Sequence, residues 1–156
     1  MDRAVSVAEY RALAEFRYQI RRFLNISEQA ARAAGLEPQQ YLLLLALRGL
    51  PEGKQKATIL TLAERLQLRH HSVVGLIDRL EKRGLVRRVR GKEDRRKVLI
   101  SLTARGEQIL GNLARKRLAE LRATGPELVR ALGAVVGAIR KSAGVRGASR
   151  SRGRYL

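Results

Sequence analysis

The sequence predicts a mainly α-helical protein with one small β-hairpin. Three observations lead there. Apolar residues recur at spacings of three and four along most of the chain. Leu and Ala are plentiful, aromatics make up only 4% and Trp is absent, so aliphatic helices must build the core. Period-two alternation is clear near Lys97–Leu102, where Val98, Ile100 and Leu102 share a face.

The elements follow in order. Leu13, Phe16, Ile20, Phe23 and Leu24 form the apolar stripe of a first helix, with Arg11, Arg17, Arg21, Arg22 and Arg32 on other faces. It is expected to reach Ala34, with Gly35 as its stop. Its apolar surface exceeds the needs of a small core, which suits packing on a partner or burial within the chain. Pro38 starts a second helix, whose YLLLLALRGL run should lie centrally before Gly49 and Pro51 end it. Thr58 suits the N-cap of a short helix from Ile59 to about Gln67.

After a brief break, another helix runs from His70 to Arg83 with Val73, Leu76, Ile77 and Leu80 inward. Gly84 stands where a left-handed residue belongs, and Leu85 can make the accompanying apolar contact. Strands at Leu85–Arg90 and Lys97–Leu102 flank a GKEDRR connection. Thr103 can cap a following helix carrying Ile109, Leu110, Leu113, Leu118 and Leu121. Thr124-Gly125-Pro126-Glu127 is expected to break that helix and open a last one, with Leu128, Leu132, Val135, Val136 and Ile139 in stripe. Residues 146–156 are basic and rich in Gly and Ser, and are expected to be disordered.

Two short helices joined by about three residues match a helix-turn-helix, and a hairpin directly after it is a wing. The fold class is thus mainly α with a small β-wing, a winged helix-turn-helix lobe over residues 35–102.

Charge says what such a lobe meets. The chain carries a net +19; the five basic residues of 141–156 account for a part, and +14 remains on the body. Solubility needs only about 2–8 charges, so a polyanionic partner, double-stranded DNA, is the better explanation. Seven of the eleven residues from Arg87 to Lys97 are basic. Like charges facing each other across strands destabilise a hairpin unless an external anion neutralises them.

Several function classes are excluded. With no cysteine there are no disulfides or thiolate metal sites. His70 and His71 point about 100° apart on a helix and cannot easily chelate one metal. No clustered carboxylates, phosphate loop or nucleophile constellation appears, so neither an enzyme nor a cofactor is expected. No apolar stretch approaches the roughly 20 residues that span a bilayer, and MDRAVSVAEY lacks a secretory core, so a cytoplasmic protein without membrane contact is expected.

Inward Val73, Leu76, Ile77 and Leu80 turn His71, Ser72, Val74, Gly75, Asp78, Arg79 and Lys82 outward. His70, His71 and Ser72 can meet base edges or phosphates, Val74 a thymine methyl, and Arg79, a turn further on, a phosphate. Gly75 costs about 1 kcal/mol against Ala inside a helix, so close approach to DNA or crowding between helices must justify it. In the wing, Asp94 can orient Arg96 for a minor groove and Lys92 and Arg95 can contact phosphates, with Arg88 and Arg90 as further DNA-binding residues.

The stretch LAERLQLRHHSVVGLIDRLEKRGLVRRVRGKEDRRKVLISLTARG resembles the core of the MarR family of bacterial transcription regulators. DRLEKRGLVRR, the Asp94-x-Arg96 wing tip and LISLTARG carry the likeness in that order, and GLEPQQYLLLLAL extends it. The resemblance implies a homodimer on a pseudo-palindromic promoter site, more often a repressor, released by a small aromatic or lipophilic ligand. Residues 1–34 and 103–145 would then be dimerisation helices, and Tyr10, Tyr18, Arg22 and Tyr41 candidates for a ligand cleft. Arg69 departs from the family, which usually has a capping Ser, Thr or Asp there; either the helix start is shifted or Arg69, like Lys82, serves a phosphate. An architectural or anti-silencing protein with little sequence preference is the alternative that the charge and basic tail support.

Overall fold

The computed structural model describes residues 4–51, 57–91 and 96–149, with side chains as far as Arg140. Five helices and one hairpin succeed each other: α1 (Val7–Ala33), α2 (Pro38–Arg48), α3 (Ile59–Leu66), α4 (His70–Lys82), β1 (Val86–Arg90), β2 (Val98–Leu102) and α5 (Ala104–Ser149). They form two compact units. One comprises Ser27–Arg117; the other joins Met1–Ile26 to Leu118–Leu156.

The Ser27–Arg117 unit holds the core. Leu43 and Leu44 of α2, Leu62 of α3, and Val73, Leu76, Ile77 and Leu80 of α4 are buried together with Leu36, Leu85, Val86, Ile100, Leu110 and Leu113. Helix α2 is central on one side only: Tyr41, Leu43 and Leu44 are buried, while Leu42 and Leu45 are exposed. Its start is fixed by a reciprocal box between Glu37 and Gln40, with Pro38 at the first helical position.

The turn between α3 and α4 is set at both ends. The Thr61 amide donates to Thr58 Oγ1 at 3.2 Å, which caps α3. Gln67 closes α3 in the left-handed region at φ 55°, and the Leu68 amide donates back to the Ala63 carbonyl at 3.0 Å. Helix α4 ends the same way. Gly84 has φ +67°, and the Leu85 amide reaches the Leu80 carbonyl at 3.0 Å.

The hairpin is antiparallel, with Val86 opposite Leu102 and Arg88 opposite Ile100. Both strands are a residue shorter than expected: Leu85 is spent on the α4 cap, and Lys97 precedes β2. The Ile100 amide also donates to the Ala57 carbonyl at 2.8 Å, which satisfies the other edge of β2. Thr103 then ties three elements together. Its Oγ1 donates to the Gly84 carbonyl at 2.7 Å and accepts from the Gly106 amide at 3.0 Å, capping α5. A Cβ at Gly106 would collide with the Leu85 carbonyl oxygen, so only glycine lets α5 start this close to the lobe.

Among its described residues, helix is the only regular element of the unit of Met1–Ile26 and Leu118–Leu156. Ser6 and Glu9 form a reciprocal box at the start of α1, with the Ser6 amide donating to Glu9 Oε2 at 2.8 Å and the Glu9 amide to Ser6 Oγ at 3.3 Å. Arg22 Nη1 donates to Glu127 Oε2 at 2.7 Å, linking α1 to α5.

Two expectations are corrected. Residues 124–127 do not break the chain into two helices: α5 is continuous, with Pro126 inside it. Proline crowds the Cβ of the residue before it out of the helical region, but that residue is Gly125 and has none. Thr124 Oγ1 donates to the Glu120 carbonyl at 3.0 Å within the same turn. Nor does a disordered tail begin at residue 146, because α5 runs through Ser149; residues 150–156 lie outside the described ones.

Candidate nucleic-acid interface

Helix α4 buries Val73, Leu76, Ile77 and Leu80, as its spacing requires, and so presents the opposite face. His70, His71, Asp78, Arg79 and Lys82 are exposed there, and Ser72, Val74 and Gly75 half-buried. The helix start is not shifted. Arg69 stands at the N-cap with extended backbone and makes no side-chain cap, while its carbonyl accepts from the Ser72 and Val73 amides at 3.0 and 3.2 Å. Arg69 itself is exposed beside the first turn.

Gly75 has one of its two explanations removed. An added Cβ would meet no neighbouring helix; the nearest atom is Arg79 Nη1, the far end of a flexible side chain, at 3.4 Å. Crowding therefore does not require this glycine.

Arg88 is placed differently from expectation. From the inner face of β1 its Nη2 donates to Asp78 Oδ1 at 2.6 Å and its Nη1 to Glu81 Oε2, and its backbone amide donates to Glu81 Oε1 at 3.0 Å. Hydrogen bonding to Asp78 raises the guanidinium pKa further above its ordinary value; burial opposes this, and the hydrogen bond and charge of Glu81 and the charge of Asp78 add to the rise. Arg88 thus fastens the hairpin to the recognition helix and neutralises both acids on that side of α4. The sequence offered a signal for this, since residues 86, 88 and 90 alternate onto the face that carries Val86.

Arg83 was overlooked. Its guanidinium donates to the buried Gln40 Oε1 at 3.0 Å and the Gly35 carbonyl at 2.7 Å, tying the end of α4 to the α1–α2 corner. No sequence pattern announces a pairing 43 residues apart.

Arg87, Arg90, Arg96 and Lys97 remain exposed on the hairpin. Lys92, Asp94 and Arg95, and with them the expected Asp94–Arg96 arrangement, lie outside the described residues.

The four residues suggested for a ligand cleft do not share one environment. Tyr41 is in the lobe core, where burial pushes its phenol pKa up while the charge of Arg117 pulls it back. Tyr10 and Tyr18 are exposed on α1. Arg22 is held by Glu127 at the rim of a shallow, solvent-open cleft lined also by Phe23, Ile26, Leu121 and Leu128.

Comparisons with known proteins converge on this lobe. Residues 34–97 match the MarR family. The chain is 39% identical over 66 residues to the uncharacterized HTH-type transcriptional regulator YfiV of Bacillus subtilis (strain 168), a match covering 38% of this chain and 41% of that protein. Its fold is similar to that of AbsC, a MarR family transcriptional regulator from Streptomyces coelicolor, with a TM-score of 0.70 and 24% identity over 94% of this chain and 99% of that one. It is also similar to the transcriptional repressor CouR bound to a 23-mer DNA duplex, with a TM-score of 0.60 and 28% identity over 80% of this chain and 87% of that one. The segment matching the MarR family spans the α2–α4 lobe and the first strand of its wing, and the likeness of fold to AbsC extends over most of the chain.

Proposed function

We propose that the protein is a homodimeric transcriptional regulator, acting as a repressor, that binds a pseudo-palindromic double-stranded DNA site and is released by a small aromatic or lipophilic ligand. The observation that carries the DNA part is the exposed face of α4 beside a cationic hairpin pinned to it by Arg88. His70, His71, Ser72, Val74 and Gly75 lie in the first two turns, the part of such a helix that meets base edges. Arg69, Lys82, Arg90, Lys92 and Arg95 supply phosphate contacts, and Arg96 enters a minor groove with Asp94 orienting it.

The second copy is supported by exposed apolar surface. On α5, Leu118, Val129, Leu132, Val136 and Ile139 are exposed, and on α1, Val7, Tyr10, Leu13, Tyr18 and Leu24. Val129, Leu132, Val136 and Ile139 alternate three and four apart, the seam spacing of packed helices. A face of this kind marks an association site.

Competition against random duplex tests the reading. A specific regulator prefers its own site by roughly 10³-fold or more. A dimer neutralising about 8 phosphates gives a log–log salt slope near −7. Equal binding to all sequences would instead favour an architectural role. One observation speaks for that second reading: residues 1–26 and 118–156 hold thirteen basic and five acidic residues, so the charge is not confined to the lobe. The ligand arm is checked by thermal shift with aromatic acids, where a true effector raises the melting temperature with concentration.

A further inference from the structure

We propose that Arg79 reads a guanine in the major groove, and that the lack of a bulky side chain at position 75 leaves it room to. This rests on the DNA-binding reading above and assigns a base-reading role where spacing alone pointed to a phosphate.

Long side chains on a helix run back towards its N-terminus, so residue 79 covers the surface over residue 75. A side chain at 75 that extends beyond Cβ would compete with it for that space. With glycine there, Arg79 Nη1 lies 3.4 Å from the point a Cβ would occupy. The Nη1 end of Arg79 therefore lies beside residue 75, nearer the start of α4 than its own Cα. That end of such a helix is the one that meets base edges. A phosphate-bound arginine would instead extend sideways, away from the helix axis.

The donors of Arg79 are also unspent. Asp78 and Glu81, the acids next to it on α4, are both taken by Arg88. Among the described residues no ion pair or hydrogen bond engages the Arg79 guanidinium. It is exposed, and its planar fork matches the paired O6 and N7 acceptors of guanine. Arg88 thus has a second effect: it removes the carboxylates that would otherwise draw Arg79 off the groove.

The test uses the full chain. A preferred duplex is selected from a random library, and affinity is measured for every single base-pair change in it, with wild type, Arg79→Ala and Gly75→Val. For wild type, one G·C position per half-site should be worth roughly 10-fold or more. Arg79→Ala should flatten that position alone and keep the ranking elsewhere, at an unchanged melting temperature because the side chain is exposed. Replacing that guanine by 7-deazaguanine should weaken wild type and leave Arg79→Ala unaffected. Gly75→Val should lose the same preference, and adding Arg79→Ala to it should cost nothing more at that position. Uniform weakening across all sequences, with a salt slope smaller by about 1, would make Arg79 a phosphate contact and overturn the proposal while sparing DNA binding. Absence of any preferred sequence for wild type would sink the regulator reading itself, and this inference with it.

Discussion

The two compact units solve the problem of apolar surface in opposite ways. Residues Ser27–Arg117 contain the whole cluster of buried core residues, from Ala31 to Leu113. In the other unit Ala131 is the one buried residue among those described, yet eleven of the sixteen exposed large hydrophobics belong there. One region is finished by its own chain; the other has the composition of a core and the exposure of a surface. That difference divides the proposed function: DNA reading is assigned to the closed unit, and assembly with a second copy to the open one.

The strongest way to break this comparison is to charge the open unit. Leu132→Asp combined with Val136→Asp places two carboxylates on the exposed seam of α5. If a second copy covers that seam, sedimentation at micromolar concentration should show monomer in place of dimer. Affinity for a full two-half-site duplex should fall roughly 10²-fold or more as bivalent binding is lost, with affinity for an isolated half-site retained. A variant still dimeric would remove the seam from the interface.

Next in size is a cut through the closed unit. Ile77 is fully buried on α4 beside Leu43 and Leu62. Ile77→Ala should cost about 2–5 kcal/mol of stability, measured by chemical denaturation, with little dependence on protein concentration. Leu132→Ala should show the contrary signature, a loss that grows on dilution, because what it weakens is assembly. Equal concentration dependence for both variants would erase the distinction between the units.

How much of this was legible beforehand follows the range of the interactions. Local rules placed the Thr58 and Thr103 caps, the Gly84 termination and the inner stripe of α4, since each is decided within about four residues. The wing was legible for the same reason, as a short alternating run beside a turn. Pro126 misled because α5 carries it inside a continuous helix: one of its usual clashes, with the Cβ of the residue before it, is absent at Gly125, and the local cost of its missing N–H does not end the helix. In the candidate site, the outward residues of α4 were legible from period alone. Arg88 and Arg83 were not, because their partners come from other elements and arginine reads from sequence as surface charge. The apolar stripe of α1 was half right: Phe16, Ile20 and Phe23 turn inward, whereas Leu13 and Leu24 stay exposed at its edge.

A smaller effect tests what joins the hairpin to its helix. Arg88→Gln removes the charge that satisfies Asp78 and Glu81 and leaves two carboxylates uncovered beside the face proposed to meet DNA. Stability should drop by about 1–2 kcal/mol, because the pair is only partly shielded from water. DNA affinity should fall roughly 10-fold, with the loss reduced in high salt, where the uncovered acids are screened. The sign with pH is fixed too. A basic group whose folded pKa is raised keeps its contribution at every pH below the unfolded value, so the Arg88 clamp should hold unchanged from neutral to moderately alkaline solution. A wild-type stability that falls between pH 7 and 9, by an amount Arg88→Gln abolishes, would contradict this.

The smallest effect probes the turn itself. Gln67 adopts φ 55°, a region that crowds any Cβ, and its side chain recovers only a long 3.4 Å hydrogen bond from Nε2 to the Glu64 carbonyl. Gln67→Gly relieves the crowding and keeps both backbone bonds of the turn, so it should stabilise the lobe by about 0.5–1 kcal/mol. The gain should appear in denaturant midpoints and leave dimer affinity untouched, because residue 67 lies in the closed unit. It should also leave base preference intact, since the helix it precedes is already anchored by Val73, Leu76 and Ile77. A Gln67→Gly variant that loses base discrimination would mean that strain in the turn, and not packing beneath α4, sets how that helix is presented.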